Sequence, residues 1–217
     1  MKALQLALLA TVLGFSSQVM AADWTNYLKG MKEGCQIDSL RKTIQKKTSI
    51  PKSLQGDITK YTSQKQEEVD NKVDIRLKNA TAFGQSITRI SYEPEWGGSY
   101  LKVYFTNDNF TKIKPQFTVK VDNKSYVVGA KKAWLVDYNN EEVNRKPLSV
   151  SYKGSTYNDY FNEDGVFKDQ SWRNANWYEI VYISDNGWNH TGSHMGEYNS
   201  LDFNNKNKTV TCTYSWG

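Results

Sequence analysis

Two cysteines, Cys35 and Cys212, stand near opposite ends of a 217-residue chain. Pairing them obliges any fold to bring its first and last structured segments together. The pairing is expected because of how the chain begins. Met1 to Ala21 hold a single charge, Lys2, then the apolar run Ala3 to Phe15 and a small-residue approach at Val19, Met20 and Ala21. That is the pattern of a cleaved secretory signal, and exported proteins meet an oxidising compartment in which paired thiols are the default. One disulfide is predicted. Closing so long a loop stabilises by at most about 5 kcal/mol in the chain-entropy model. A reactive thiol fits poorly, since neither cysteine sits beside a resolving cysteine or in a histidine-bearing motif. A bacterial lipid anchor needs a cysteine at the cleavage point, where Ala21, Ala22 and Asp23 stand. A periplasmic or secreted protein, cleaved near Ala21 or Ala22, is therefore expected.

The apolar run is too short to span a bilayer, and no later stretch reaches about 18 uninterrupted apolar residues. With 38% hydrophobic and 24% charged residues, the chain suits one domain with a small helical extension. Seven Trp and fourteen Tyr must supply much of the core, burying large areas while their polar tips reach partners.

The spacing from Asp23 to about Gln66 predicts helices. Trp24, Tyr27, Leu28 and Met31 recur at three- and four-residue steps, Asp38 is placed as an N-cap before Leu40 and Ile44, and Pro51 breaks the pattern. Leu54, Ile58 and Tyr61 predict a further helix over Lys52 to Tyr61. Residues 22–66 carry nine Lys and Arg against four Asp and Glu, and the remainder is nearly neutral. From about Glu68 the period becomes alternating: Val73, Ile75 and Leu77; Ile87, Ile90 and Tyr92; Leu101, Val103 and Phe105; Phe117, Val119 and Val121. These read as strands, with turns at Trp96-Gly97-Gly98-Ser99 and Asp122-Asn123-Lys124-Ser125. Further strands are predicted over Lys132–Tyr138, Leu148–Lys153, Trp177–Ser184, Ser200–Phe203 and Thr209–Trp216. The expected fold is α+β: a signal peptide over 1–21, a basic helical region over 22–66 packed on the domain, and a β-rich domain over 67–217. Short turns favour a mainly antiparallel sheet, because parallel pairing needs crossover helices.

Motifs for chemistry are sparse. His190 and His194 are four apart, and Glu197 follows; on a helix these would make a three-ligand metal site. Gly187, Gly192 and Gly196 instead predict a polar loop, so no metal and no cofactor are expected. Glu93 and Glu95 flank Pro94 and point to one face of a strand. Either one with Asp164 is the pair a secreted hydrolase would use, but surface charge on the solvated face of a hairpin is the expected reading. No nucleophile elbow, phosphate-cradling loop or dinucleotide fingerprint occurs.

The least ordinary stretch runs from Tyr152 to Trp188, where ten aromatics mix with Asn and Asp. Core packing accounts for most. Tyr157, Tyr160, Phe161 and Trp172, with Asp159, Glu163 and Asp164, lie in its irregular part and are the expected binding face, since Trp and Tyr give large contact area at low entropy cost. The scattered lysines of 22–66 read as a solvated helix face, without nucleic acid as partner. An outer-membrane barrel is disfavoured by Lys102, Lys120 and Glu179 within strands and by a mean hydropathy of -0.70.

The expectation is an exported, non-enzymatic binding protein acting on another protein in the cell envelope or outside the cell, such as an inhibitor or an immunity protein against a cell-wall-targeting enzyme. A glycan or envelope-polymer binding module and a secreted hydrolase are the alternatives.

Overall fold

The computed structural model describes residues 21–67, 69–121, 124–130, 132–137, 147–151, 178–192 and 198–215. The predicted signal peptide, residues 1–20 of it, lies outside them. The chain enters the fold with β1 (Ala22–Asp23), followed by α1 (Lys29–Lys32), α2 (Asp38–Ile44), a single 3-10 turn (Lys47–Ser49) and α3 (Lys52–Gln55). Then come β2 (Ile58–Gln64), β3 (Lys72–Ala82), β4 (Gln85–Glu95) and β5 (Gly98–Phe105). A 3-10 turn at Lys114–Gln116 leads into a hairpin of β6 (Thr118–Val121) and β7 (Lys124–Val127). The remaining strands are β8 (Lys132–Asp137), β9 (Pro147–Ser151), β10 (Tyr178–Ser184), β11 (Gly187–Gly192), β12 (Tyr198–Asn204) and β13 (Thr209–Ser215).

Eleven strands form one sheet in the order β1-β3-β4-β5-β13-β12-β11-β10-β8-β9, with β2 also on β3. All pairings are antiparallel except β1 with β3. The α+β expectation therefore holds only coarsely: the protein is mostly β-sheet, with few and short helices. The helix predicted over Lys52 to Tyr61 is a correction. Leu54 ends in α3, but Ile58–Gln64 is a strand laid along the edge of β3, from Ile58 opposite Leu77 to Gln64 opposite Lys72. The ladder along β3 outweighs a helical spacing that only three apolar residues supported, and Tyr61 donates its hydroxyl hydrogen bond to the Ile44 carbonyl at the end of α2 (2.7 Å). Asp38 is likewise the first residue of α2, preceded by Ile37 as N-cap, and its carboxylate is placed in the first turn, where the helix dipole favours it.

Alternation makes one sheet face apolar. Val73, Tyr92, Leu101, Cys212, Leu201, Trp188 and Ile183 pair successively across seven strands, and all are buried. Beside this row runs a second of Ile75, Ile90, Val103, Val210 and Phe203. The N-terminal segment covers the rows with Trp24, Leu28, Met31, Ile37, Leu40 and Ile44. The β6–β7 side adds Phe110, Phe117 and Val119. Phe203 meets Phe117 and Phe110 edge to face at 5.0 and 5.4 Å, the arrangement ring quadrupoles prefer. Cys35 is bonded to Cys212, which sits in the first row, so the disulfide fastens the helical cover to the middle of the sheet.

Candidate functional site

The β4–β5 hairpin turns in two residues, Trp96 and Gly97, between the paired Glu95 and Gly98. Gly97 takes a φ of 81°, which a side chain at that position would disfavour. So tight a turn carries the Trp96 ring away from the sheet. The ring is 90% exposed, while among the described residues the other large hydrophobics are buried or half-buried apart from Val127. Beneath the tip lies a groove of about 140 Å³ walled by Arg41, Asp70, Tyr92, Ser99 and Tyr214 together with the hairpin. Asp70 accepts from the Arg41 guanidinium and, at 3.1 Å, from the Tyr92 hydroxyl. Donating to Asp70 raises the Arg41 pKa, and burial pushes the Tyr92 hydroxyl up to about 12. The groove thus has a fixed ionic floor under a projecting indole.

Glu93 and Glu95 point to the opposite, outward face, as their spacing predicts. With Ser91, Tyr100 and Lys102 they line a shallow pocket of about 190 Å³. Both are exposed, and Glu93 pairs with Lys72. Burial, followed by the neighbouring Glu95, raises the Tyr100 pKa. Asp164, the proposed partner carboxylate, lies outside the described residues.

So does the whole binding face expected from sequence: Tyr157, Asp159, Tyr160, Phe161, Glu163, Asp164 and Trp172. Tyr182 and Trp188, from the same aromatic stretch, are buried, Trp188 in the core. The loop predicted around the histidines needs correction. His190 lies on β11, between Val181 of β10 and Asn199 of β12, because the polar residues from Gly187 to Gly192 form backbone ladders on both sides. A strand does not give the helical four-residue spacing that the metal reading required. His194 and Glu197 lie outside the described residues, among which no group of three or more His, Cys, Asp or Glu side chains is placed to hold a metal.

His190 instead lines a cavity of about 370 Å³ beside the disulfide, with Trp188, Asn199, Glu33, Gln36 and Lys120 among its walls. The sequence reading missed both this cavity and the exposure of Trp96. A tryptophan inside a glycine-bearing two-residue turn was the available signal for the second. For the cavity there was none, since its walls come from segments far apart in the chain, from Glu33 to Thr118 and on to Trp188. The chain matches no family model, no curated protein and no solved structure.

Proposed function

We propose that this is an exported, non-enzymatic binding protein that engages another protein through the β4–β5 hairpin, with Trp96 as the anchor. The observation that carries the reading is the 90% exposure of Trp96 at the tip of a two-residue turn on a disulfide-fastened sheet. Solvating so large an apolar ring is unfavourable, and buried tryptophans dominate the energetics of protein interfaces. A rigid protrusion suits a concave partner surface, which is the geometry of an inhibitor or an immunity protein against a cell-wall-targeting enzyme. The disulfide fits export, and among the described residues no helix is long and apolar enough to cross a membrane.

The test is capture from cell-envelope extract with the wild-type protein and with Trp96→Ala, followed by assay of the recovered partner for cell-wall lysis. A partner held by the wild type, released by Trp96→Ala and inhibited on binding is the expected result. Equal capture by both proteins removes the hairpin from the interface.

A glycan-binding reading draws on a different surface. Tyr100, Tyr104 and Tyr198 are half-exposed on the outward sheet face, with the Arg89 guanidinium 4.7 Å from the Tyr104 ring centre. Sedimentation with insoluble envelope glycan that is lost in Tyr100→Ala but kept in Trp96→Ala would favour it.

A further inference from the structure

We propose that the cavity beside the disulfide binds a small zwitterion, of the size of an amino acid or a dipeptide, through its carboxylate and ammonium groups together. This site is separate from the Trp96 hairpin and does not rest on the function proposed for it.

The cavity holds about 370 Å³, within the range of small-molecule sites. Its walls are preorganised. One is the stretch Glu33 to Gln36, whose middle residue, Cys35, is bonded to Cys212; the backbone of Glu33 also bridges to Thr118 of β6. The opposite wall is Trp188 and His190 on β11 and Asn199 on β12, both interior strands of the sheet. Fixed walls spare a ligand the cost of ordering them.

Trp188 supplies the observation that points to a ligand. It is 2% exposed, and among the described residues its buried indole Nε1 has no hydrogen-bond partner. Trp24, equally buried, donates its Nε1–H to Asp57 at 3.2 Å. An unmade buried bond of this kind leaves the desolvation of the donor uncompensated. A ligand oxygen delivered at the Trp188 wall supplies the missing acceptor.

The rim decides the charge of that ligand. Glu33 and Lys120 are both exposed there, and among the described residues neither enters an ion pair. A simple anion meets Glu33 unfavourably and a simple cation meets Lys120 unfavourably, whereas a molecule carrying both charges pairs with each. The carboxylate then sits toward Lys120 and the Trp188 indole, and the ammonium toward Glu33. His190 and Asn199, directly opposite each other on β11 and β12, contribute polar side chains to the same space.

The experiment is a titration of the isotope-labelled protein, followed by the nuclear magnetic resonance signal of the Trp188 indole N–H. That signal is assigned by its loss in Trp188→Phe. The probes are the free amino acids and the dipeptides of alanine, each also as the N-acetylated and the C-amidated form. A saturable downfield movement with at least one unblocked probe is expected. Blocking either end, or substituting Lys120→Met or Glu33→Gln, should weaken it roughly tenfold, the loss of one charge-assisted bond. Both rim residues are exposed, and if Trp188→Phe fails to fold the indole signal is assigned instead by through-bond correlation to the Trp188 backbone. The proposal is overturned if no probe moves the signal saturably, if blocked and unblocked forms bind equally, or if the rim variants bind as the wild type does.

Discussion

Cys35, in the turn after α1, is bonded to Cys212 at the centre of β13, their Cα atoms 5.5 Å apart across a sequence separation of 177. Cys212 stands between Leu101 of β5 and Leu201 of β12, so the bond ties the helical cover to the row of side chains on which it packs. Without it the cover is held by apolar packing and by scattered polar links, among them Trp24 to Asp57, Tyr61 to the Ile44 carbonyl and Arg41 to Asp70. Replacing both cysteines with alanine should lower the unfolding free energy by roughly 3 to 5 kcal/mol in urea denaturation, chiefly by freeing the unfolded chain. A loss below about 1 kcal/mol would mean that the packing of Leu28, Met31 and Leu40 holds the cover unaided.

Asp57 is buried where α3 gives way to β2. It accepts the Trp24 indole hydrogen bond at its carboxylate, and its backbone carbonyl accepts from the Lys78 amide at 2.9 Å, beside the bulge of β3. Asp57→Ala should therefore strand a buried indole N–H and cost about 1 to 3 kcal/mol. Combined with Trp24→Phe in a double-mutant cycle, the two losses should be less than additive. Strict additivity would show that the bond contributes nothing.

Alkaline pH should destabilise the fold through Tyr92. Its hydroxyl ionises near 10.0 when solvated, and burial raises that to about 12 in the folded protein. Between those values the folded state holds a proton that the unfolded state has released. The stabilisation is therefore complete below about pH 10 and is lost as pH rises through about 12, amounting to roughly 2 to 3 kcal/mol. Tyr27 is likewise raised to about 12, chiefly by burial, and loses its stabilisation over the same window. Denaturation midpoints across this window should fall more steeply for the wild type than for Tyr92→Phe. Identical slopes would contradict the assignment.

Gly187 opens β11 with a φ of 154°, and a Cβ there would lie 1.7 Å from the Leu201 carbonyl oxygen of the paired strand. Backbone, unlike a flexible side-chain end, cannot move aside without breaking the ladder. Gly187→Ala should cost more than about 2 kcal/mol in thermal or chemical unfolding. Retention of wild-type stability would show that β11 and β12 separate there at little expense.

Trp96→Ala should leave stability within about 0.5 kcal/mol of the wild type, because the ring packs on almost nothing. Partner binding should fall by roughly tenfold or more, as expected for a central interface tryptophan. Matched unfolding curves together with lost capture are the combination that separates a contact residue from a structural one.

Which side chains face inward was legible from sequence wherever alternation was long. Val73 to Leu77, Ile87 to Tyr92 and Leu101 to Phe105 read as strands and are β3, β4 and β5. Two cysteines in one chain admit one intramolecular pairing, and it is the pairing found. The limits are equally specific. Ile58 and Tyr61 fit a helical period, yet their segment is a strand. His190 sits in a glycine-bearing polar stretch that reads as a loop, yet it belongs to an interior strand. In both places the deciding hydrogen bonds run to β3, β10 and β12, partners that no local window contains.

The candidate sites divide in the same way. Alternation, turn residues and the cysteine count are local or countable properties, and from them the sequence by itself determined the principal strands, the hairpin that carries Trp96 and the disulfide. The exposure of the Trp96 ring, the Trp188 indole left without a partner among the described residues, and the meeting of Glu33, Lys120 and His190 around one cavity emerge only in the tertiary structure. Each depends on what distant strands and the helical cover leave exposed, unpaired or close together, and that follows from packing many segments at once.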